Sequence, residues 1–227
     1  MKPHAFSASC HAGATCQEPQ RRIRLLDSHH PRRRDAENWI RSIYLHAYQA
    51  RLRRFHPWLL AVTKKDGRLA SVAGFRPAGN GPLFSECYLD LPAEELLATP
   101  RREIVEVGNL APASPGQART MITTMTAFLH GAGFRQVIFT AVPQLYNAFR
   151  RLGLEPRKLA PALACRLPKD ADYWGSYYDA GPRVYSGSIL SGYRALHSHE
   201  KASGEITIQA LEEGRRHRPR FQEGASE

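Results

Sequence analysis

The stretch Glu103-Ile-Val-Glu-Val-Gly-Asn-Leu-Ala-Pro-Ala-Ser-Pro-Gly-Gln-Ala-Arg119 decides the fold. Its apolar first half predicts a β-strand over residues 103–110, and the Pro/Ser/Gly turn leads into a helix predicted over residues 117–131. The first turn of a helix has free N–H groups and a partial positive charge, which attract anions such as phosphate. The alternative is an ordinary strand–turn–helix corner with Arg119 as a surface charge.

The flanking sequence predicts a mixed α/β fold. An amphipathic helix is expected over residues 35–54, and Lys64-Lys-Asp-Gly67 predicts a hairpin between strands 58–63 and 69–75. Because a helix joins strand 103–110 to the apolar strand 136–142, these two strands should be parallel. Further expected elements are a strand at 22–26, an extended segment at 83–89, a short helix after Pro92, a helix at 143–152 and a last strand at 162–167.

The length of 227 residues fits one domain with ragged ends. Residues 1–21 are predicted to be a flexible leader, and residues 22–192 the folded domain. Residues 193–227 are predicted to be a polar basic tail, largely disordered, with a weak helix over 206–213.

The chain is basic, with a net charge of +11 and a sequence pI near 9.9, which favours anionic partners. No recognised nucleic-acid module accompanies the charge, so nucleic acid is not an expected partner. The four cysteines have no metal-ligand spacing and predict reduced thiols and no metal site. No signal peptide and no transmembrane segment are predicted, since the longest aliphatic run is far shorter than the roughly 20 residues of a span. A cytoplasmic location is therefore expected.

Several long ungapped motifs closely resemble the thermostable haemolysin family, over about residues 37–192. They are Pro57-Trp-Leu-Leu60, Gly74-Phe-Arg-Pro-Ala78, Leu83-Phe-Ser-Glu-Cys-Tyr-Leu-Asp90, Val105-Glu-Val-Gly-Asn-Leu-Ala111, Val137-Ile-Phe-Thr-Ala141, Asn147-Ala-Phe-Arg-Arg-Leu-Gly-Leu154 and Trp174-Gly-Ser-Tyr-Tyr178. Members of this family are similar in pattern to acyl-CoA N-acyltransferases of the GNAT superfamily, especially the acyl-homoserine-lactone synthase branch. The resemblance implies a GNAT-like acyltransferase domain with a central, mixed, mostly antiparallel sheet flanked by helices.

The resemblance also implies a donor site for acyl-CoA or for the acyl-phosphopantetheine of an acyl carrier protein. The strand before the phosphate loop would contact the pantetheine arm, and the next loop and helix N-terminus would hold the phosphates. Ser114-Pro-Gly-Gln-Ala-Arg119 is a degenerate version of the usual loop, which has more Arg and Gly. The implied donor-binding residues are Val107, Gly108, Asn109, Leu110, Ala111, Gly116, Gln117, Ala118, Arg119 and Asn147.

Two carboxylates are candidate bases. In lactone synthases a Glu on this strand is followed three residues later by Arg; here Glu106 is followed by Asn109, so only the Glu carries over. Glu106 is expected to act as a general base through a water, and Glu86 is the second candidate. Mutual repulsion between two inward carboxylates would raise the pKa of one of them. Alternatively, one or both pair with Arg76 or Arg119.

The remaining candidates are aromatic. Tyr146 could replace the Tyr that serves as general acid in many related acetyltransferases, because Phe149 occupies that place; core packing is its favoured alternative. Trp174, Tyr177 and Tyr178 would line a substrate pocket with Arg76, or cap the sheet.

The leading hypothesis is an acyltransferase that moves an acyl group to the amine of a small molecule by direct attack. No Ser or Cys lies in a nucleophile-elbow setting, which agrees with direct transfer. The alternatives are a membrane-active or haemolytic protein and a non-catalytic acyl-thioester-binding module. The acyl length, the acceptor and the oligomeric state stay open at this stage.

Overall fold

The computed structural model describes residues 21–167, 171–198 and 204–222. Within them, seven strands form one mixed sheet in the order β1-β2-β3-β4-β5-β7-β6. The strands are β1 (Arg22–Leu26), β2 (Trp58–Thr63), β3 (Leu69–Pro77), β4 (Ile104–Pro112), β5 (Gln136–Ala141), β6 (Arg157–Pro161) and β7 (Arg183–Ser188). The helices are α1 (Arg33–Tyr48), α2 (Ala93–Leu97), α3 (Pro115–Gly131), α4 (Pro143–Arg151), α5 (Ile189–Ser198) and α6 (Glu205–Gln222).

The first five strands follow the sequence prediction. β2 and β3 form the predicted antiparallel hairpin, with Trp58 opposite Phe75. β4 and β5 are the predicted parallel pair, with Ile104 opposite Gln136 and Val107 opposite Phe139. Of the strand pairs in the sheet, β4–β5 is the parallel one and the others are antiparallel. The predicted mixed, mostly antiparallel sheet is confirmed.

The last strands were predicted wrongly. Residues 162–167 form no strand and contain the 3₁₀ turn Ala164–Arg166, while β6 and β7 lie on either side of this segment in sequence. β6 is an edge strand with exposed Arg157 and Lys158, and β7 contains serines and a glycine, so neither shows a hydrophobic run. The expected extended segment at 83–89 is the 3₁₀ helix Phe84–Tyr88.

Helices cover both faces of the sheet. On one face, α3 packs Met121, Met125 and Phe128 against Phe75 and Val105. On the other, α1 packs Ile40 and Ala36 against side chains of β1 to β4, including Leu59, Val72 and Ala111. Because neighbouring residues of a strand point to opposite faces, Glu106 and Gly108 of β4 lie on the face opposite Val105 and Val107.

The described part of the tail is helical, and the prediction of a largely disordered tail is corrected for α6. A Cβ on Gly131 would clash with the Leu211 carbonyl, and one on Gly214 with the Phe128 carbonyl, so the glycines let α3 and α6 pack closely. Phe221 is 3% exposed and packs on Trp58, Phe75 and Phe128. The many arginines of this segment concealed these few anchoring residues. The predicted leader, residues 1–21, lies outside the described residues except for Arg21.

β4 pairs differently along its length. Residues 104–107 are paired with β5, and residues 105–107 are paired with β3 as well, whereas beyond Val107 β4 pairs with β3 alone. The register with β3 shifts between Gly74 and Val72, and Asn109 has a φ of 50°. This is a β-bulge, which bends a strand and re-aims its side chains. β4 and β5 therefore part beyond Val107.

Candidate active site

The parting of β4 and β5 opens a cavity of about 740 Å³. Val107, Gly108 and Leu110 line it from β4, and Phe139, Thr140 and Ala141 line it from β5. Its other walls come from α1, α3, α4, α5 and the segment that contains Tyr177; they include Tyr44, Tyr48, Ala118, Met121, Ile122, Leu145, Ala148, Phe149, Ile189 and Gly192. Nearly all of these side chains are apolar, so the cavity suits an extended hydrocarbon chain.

Among the donor-binding candidates on β4, three line the cavity and two serve the protein itself. Val107, Gly108 and Leu110 are lining residues. The Ala111 side chain is buried and its carbonyl accepts a hydrogen bond from the Trp39 indole N–H at 2.9 Å. Asn109 Oδ1 accepts the main-chain N–H of His56 at 3.0 Å.

The N-terminus of α3 borders the same cavity through Pro115 and Ala118. Gly116 and Arg119 are exposed, and a Cβ on Gly116 would meet no atom within 4 Å. Gln117 Oε1 is buried and has no hydrogen-bond partner in the described part of the chain. A buried acceptor of this kind is satisfied when a ligand supplies an N–H or O–H donor. Asn147, the remaining donor candidate, is exposed on α4.

Glu106 is buried, with 2% of its surface exposed. Its Oε2 accepts the main-chain N–H of Phe84 at 2.9 Å, and its Oε1 accepts the main-chain N–H and the hydroxyl of Ser85 at 2.6 and 2.5 Å. A carboxylate that accepts several hydrogen bonds from one segment fixes that segment against the strand. Glu106 thus anchors the 3₁₀ helix Phe84–Tyr88 to the sheet.

Glu86 lies on that 3₁₀ helix and is engaged elsewhere. Its carboxylate receives two hydrogen bonds from Arg101, at 2.7 and 2.8 Å, and the main-chain N–H groups of Leu83 and Ala93. The hydrogen bonds from Arg101, opposed by burial and supported by those N–H groups, lower the pKa of Glu86 to about 2. For Glu86 the alternative of a pair with Arg76 or Arg119 is wrong, because its partner is Arg101, and the rise in pKa that was expected for one of the two carboxylates does not occur at Glu86.

The predicted substrate-pocket residues divide in two. Tyr177 is buried, lines the cavity and packs edge-on against Tyr48 at 5.1 Å between ring centroids. Trp174 stacks on Phe84 at 5.6 Å, and the Tyr178 hydroxyl lies 2.5 Å from the Tyr88 hydroxyl. This cluster ties α1 to the 3₁₀ helix that Glu106 anchors. It both caps the sheet and provides one wall of the cavity.

Two other candidates lie apart from the cavity wall. Arg76 is the partner of Glu106 in the β3–β4 register, and its guanidinium donates to the Pro82 carbonyl at 3.0 Å. Tyr146 stacks on Tyr185 at 5.0 Å between ring centroids, and the Lys158 ammonium lies 5.2 Å from the centroid of the Tyr146 ring. This packing is the alternative that the sequence favoured for Tyr146.

His56 was not predicted as a site residue. Its ring lies over Gly74 and Gly108, which face each other on β3 and β4. A Cβ on Gly74 would lie 2.9 Å from the Cβ of His56, and one on Gly108 would lie 2.5 Å from its Nε2. Glycine inside a strand often marks the close approach of another group. Gly74 and Gly108, each inside a predicted strand, were the signal that sequence reasoning left unused.

The seven-stranded mixed sheet, with its bulged β4 parting from β5 over a cavity, defines the class: the chain has a GNAT-like acyltransferase fold. Solved structures share it. The acyl-homoserine-lactone synthase LasI superposes with a TM-score of 0.54 at 9% identity, over 83% of this chain and 100% of that chain. BjaI, a CoA-dependent acyl-homoserine-lactone synthase solved with SAM and isopentyl-CoA, gives 0.54 at 13% identity, over 84% and 99%. FeeM, an N-acyl amino acid synthase from uncultured soil microbes, gives 0.51 at 16% identity, over 77% and 94%.

At these identities the likeness defines the fold and leaves the substrates open. The family is defined by sequence: the model of the thermostable hemolysin family matches residues 26–193, and the chain belongs to that family. Comparison with curated proteins by sequence gives no match. None of the helices in residues 21–167, 171–198 and 204–222 is long and apolar enough to cross a membrane.

Proposed function

We propose that the protein is an acyltransferase that moves an acyl group from a CoA or acyl-carrier-protein thioester to the amine of a small molecule. The observation that carries the proposal is the apolar cavity between β4 and β5, which ends beside the N-terminus of α3. A thioester donor has three parts: an acyl chain, a pantetheine arm and a phosphate. The site offers a matching environment for each part.

The acyl chain would occupy the apolar part of the cavity. A volume of about 740 Å³ is within the range of small-molecule sites and holds more than an acetyl group. Met121, Met125 and Leu129 line its α3 side, and methionine adapts well to flexible chains. We therefore favour a medium or long acyl chain over acetyl.

The pantetheine arm and the phosphate would lie between β4 and the start of α3. Beyond Val107, β4 has no β5 partner in the register, so its main-chain groups on that side can meet the amides of the arm. The buried Oε1 of Gln117 needs a donor that an amide N–H can supply. The N-terminus of α3 attracts the phosphate. Asn147 and Arg119 are proposed to approach the ligand from the exposed rim.

Glu106 has two roles in the proposed function, one structural and one chemical. Its carboxylate fixes the segment that carries Phe84, and Phe84 stacks on Trp174 of the aromatic cluster. As predicted from sequence, it is also a candidate to take the amine proton through a water. Because CoA and acyl carrier protein thioesters are made in the cytoplasm, that is the proposed site of action.

Donor binding can be tested by thermal unfolding with acetyl-CoA, a long-chain acyl-CoA and an acylated carrier protein. A ligand at 100 times its Kd stabilises a protein by about 2.7 kcal/mol, so binding raises the melting temperature measurably. The long-chain donors should stabilise more than acetyl-CoA. Stabilisation by none of the three would contradict the proposal.

A matched pair of variants locates the donor. Ala118→Trp puts a bulky ring at the cavity wall and should abolish the stabilisation, whereas Ala113→Trp, on the exposed turn before α3, should leave it unchanged. Turnover is followed as free thiol released from the long-chain donor in the presence of amino acids and aliphatic diamines. Donor binding without thiol release for any amine would favour the non-catalytic binding module.

A further inference from the structure

The side chain of His56 packs over the middle of the sheet, on β3 and β4. The two facing glycines, Gly74 and Gly108, leave a gap on the face that also carries Glu106, and the imidazole fills this gap. Gly108 lines the cavity, and His56 as a residue is partly buried. The ring therefore lies beside the point where β4 and β5 part.

The main chain of His56 is held from two sides. Its N–H donates to Asn109 Oδ1 at 3.0 Å, and its carbonyl accepts from the guanidinium of Arg33 at 2.6 Å. Arg33 also donates to the Pro57 carbonyl at 2.9 Å and is paired with Glu37 at 2.8 Å. Asn109 is the left-handed residue of the β4 bulge, so the bulge itself positions the histidine. These contacts use the main-chain N–H and carbonyl of His56, and neither of them involves an imidazole nitrogen.

Three charged groups face the imidazole. Glu106 of β4 favours its protonated form, whereas Arg76 of β3 and Arg33 of α1 disfavour it. Burial is the largest influence, and together with the two arginines it holds the pKa of His56 below its usual value near 6.5. The imidazole is therefore neutral at pH 7 and able to accept a proton.

We propose that His56 is the general base of the transfer, a role that rests on the proposed function. The acceptor ammonium first releases one proton to solvent, and the neutral amine that results has a free nitrogen lone pair. That lone pair attacks the thioester carbonyl carbon, the imidazole takes a second proton from the same nitrogen as the C–N bond forms, and the C–S bond breaks. The imidazolium returns the proton to the departing thiolate, so thioester and amine become amide and thiol with no net gain or loss of protons.

The geometry favours His56 over Glu106 in this step. Glu106 is 2% exposed, and its carboxylate already accepts three hydrogen bonds from Phe84 and Ser85. His56 is partly exposed and touches a residue that lines the cavity. Glu106 then acts on the imidazolium as a nearby negative charge, which stabilises it once it forms.

The test compares pH–rate profiles for the donor and amine pair that releases thiol fastest. For the wild-type protein, kcat should rise with pH through the lowered pKa of His56 and then level off. His56→Gln should lower kcat by about 10²–10⁴-fold and lose this rise, with donor-induced stabilisation unchanged. His46→Gln, on the exposed side of α1, is the matched control and should keep the full profile.

Glu106→Gln separates the two candidate bases. It should lower kcat but keep the rise with pH, shifted to lower pH because the charge that favours imidazolium is gone. A rise with pH that survives in His56→Gln and disappears in Glu106→Gln would overturn the assignment in favour of Glu106. The failure of the proposed function is distinguishable from this result, because it would show as absent donor stabilisation and thiol release in the wild-type protein.

A second measurement does not depend on the folding of a variant. The imidazole resonances of the wild-type protein, assigned to His56 by their loss in His56→Gln or by contacts to Gly74 and Gly108, give its titration directly. The midpoint measured without acceptor should coincide with that of the kcat/KM profile, which reports the titration of the free enzyme. A His56 midpoint more than about one pH unit from the kinetic one would overturn the proposal.

Discussion

The two halves of β4 differ in every respect that matters here. Residues 104–107 are all paired with β5, residues 105–107 are paired with β3 as well, and Ile104, Val105 and Glu106 are buried. Residues 108–112 are paired on one side, bulged at Asn109, and partly exposed except for Ala111. One strand thus serves as a core element and, a few residues later, as a ligand wall.

The difference shows how a fold makes room without losing stability. A strand that leaves its neighbour must satisfy its carbonyls and N–H groups by other means. Here the indole N–H of Trp39 in α1 donates a hydrogen bond to the Ala111 carbonyl. The Asn109 side chain accepts the main-chain N–H of His56, which ties the bulge to the segment before β2. The unpaired half is thereby held from the α1 side, while its β5 side stays available to a donor.

The largest expected effect separates the halves by stability. Ile104→Ala removes a fully buried side chain from the half that pairs with β5 and should lower the free energy of unfolding by about 2–5 kcal/mol. Leu110→Ala, at the partly exposed cavity wall, should cost about 1 kcal/mol, since the site can relax. Urea unfolding of both variants measures the difference. Equal losses would show that the open half is as tightly packed as the paired half.

The next effect concerns Arg101, which holds the segment next to the paired half. Its guanidinium bonds to Glu86 and Glu94 and to the carbonyls of Ala78 and Gly81. Arg101→Ala should lower the free energy of unfolding by about 2 kcal/mol, because these acceptors lose a charged donor. Arg135→Ala, which breaks an exposed pair with Glu103, should cost less than about 1 kcal/mol. A similar cost for both variants would mean that solvent replaces Arg101 readily.

Acid unfolding gives a smaller effect with a definite sign. The folded-state pKa of Glu86, about 2, lies below the ordinary value of 4.5 for this carboxyl. The carboxylate therefore contributes stability above pH 4.5, and this contribution is lost as the pH falls towards 2. Glu86→Gln should unfold with a weaker pH dependence between these values, as followed by circular dichroism. The exposed Asp90→Asn variant is the control, and a wild-type-like acid limb in Glu86→Gln would refute the assignment.

Much of the paired region was predictable from sequence because its pattern is local. The apolar run before the Pro/Ser/Gly turn gave β4, the Asp66-Gly67 turn gave the β2–β3 hairpin, and the connecting helix gave the parallel β4–β5 pair. Each of these signals is contained within a short window of sequence. The resemblance placed the donor along residues 107–111; Val107 and Leu110 line the cavity, and donor binding there stays a prediction.

The rest depends on contacts between distant residues. Nothing near Glu86 in sequence announces Arg101 as its partner, and only the fold brings His56 onto Gly108, across 52 positions of the chain. β6 and β7 were missed because an edge strand with Arg157 and Lys158 and a strand with Ser186 and Gly187 lack hydrophobic alternation. α6 was undervalued because its arginines outnumber its anchoring residues, Ala210 and Phe221.

The smallest expected effect tests how the open half is held. Trp39→Phe keeps an aromatic ring at this position but removes the indole N–H and its 2.9 Å hydrogen bond to the Ala111 carbonyl, and loss of this hydrogen bond should cost about 1 kcal/mol of unfolding free energy. Ser42→Ala, which removes a hydrogen bond at the exposed surface of the same helix, should cost almost nothing. Urea unfolding measures both variants.

The same pair of variants decides what the hydrogen bond is for. If Trp39 keeps the end of β4 apart from β5, Trp39→Phe should weaken stabilisation by a long-chain acyl-CoA more than its own cost in stability explains, because β4 then moves into the cavity. The variant could instead lose about 1 kcal/mol of unfolding free energy and still be stabilised by the donor as much as the wild-type protein. Trp39 then contributes to stability alone, and the bulge at Asn109 keeps the cavity open. In either case Ser42→Ala should be stabilised by the donor as much as the wild-type protein. A difference between the two variants is then due to the change at Trp39, which removes the hydrogen bond to Ala111.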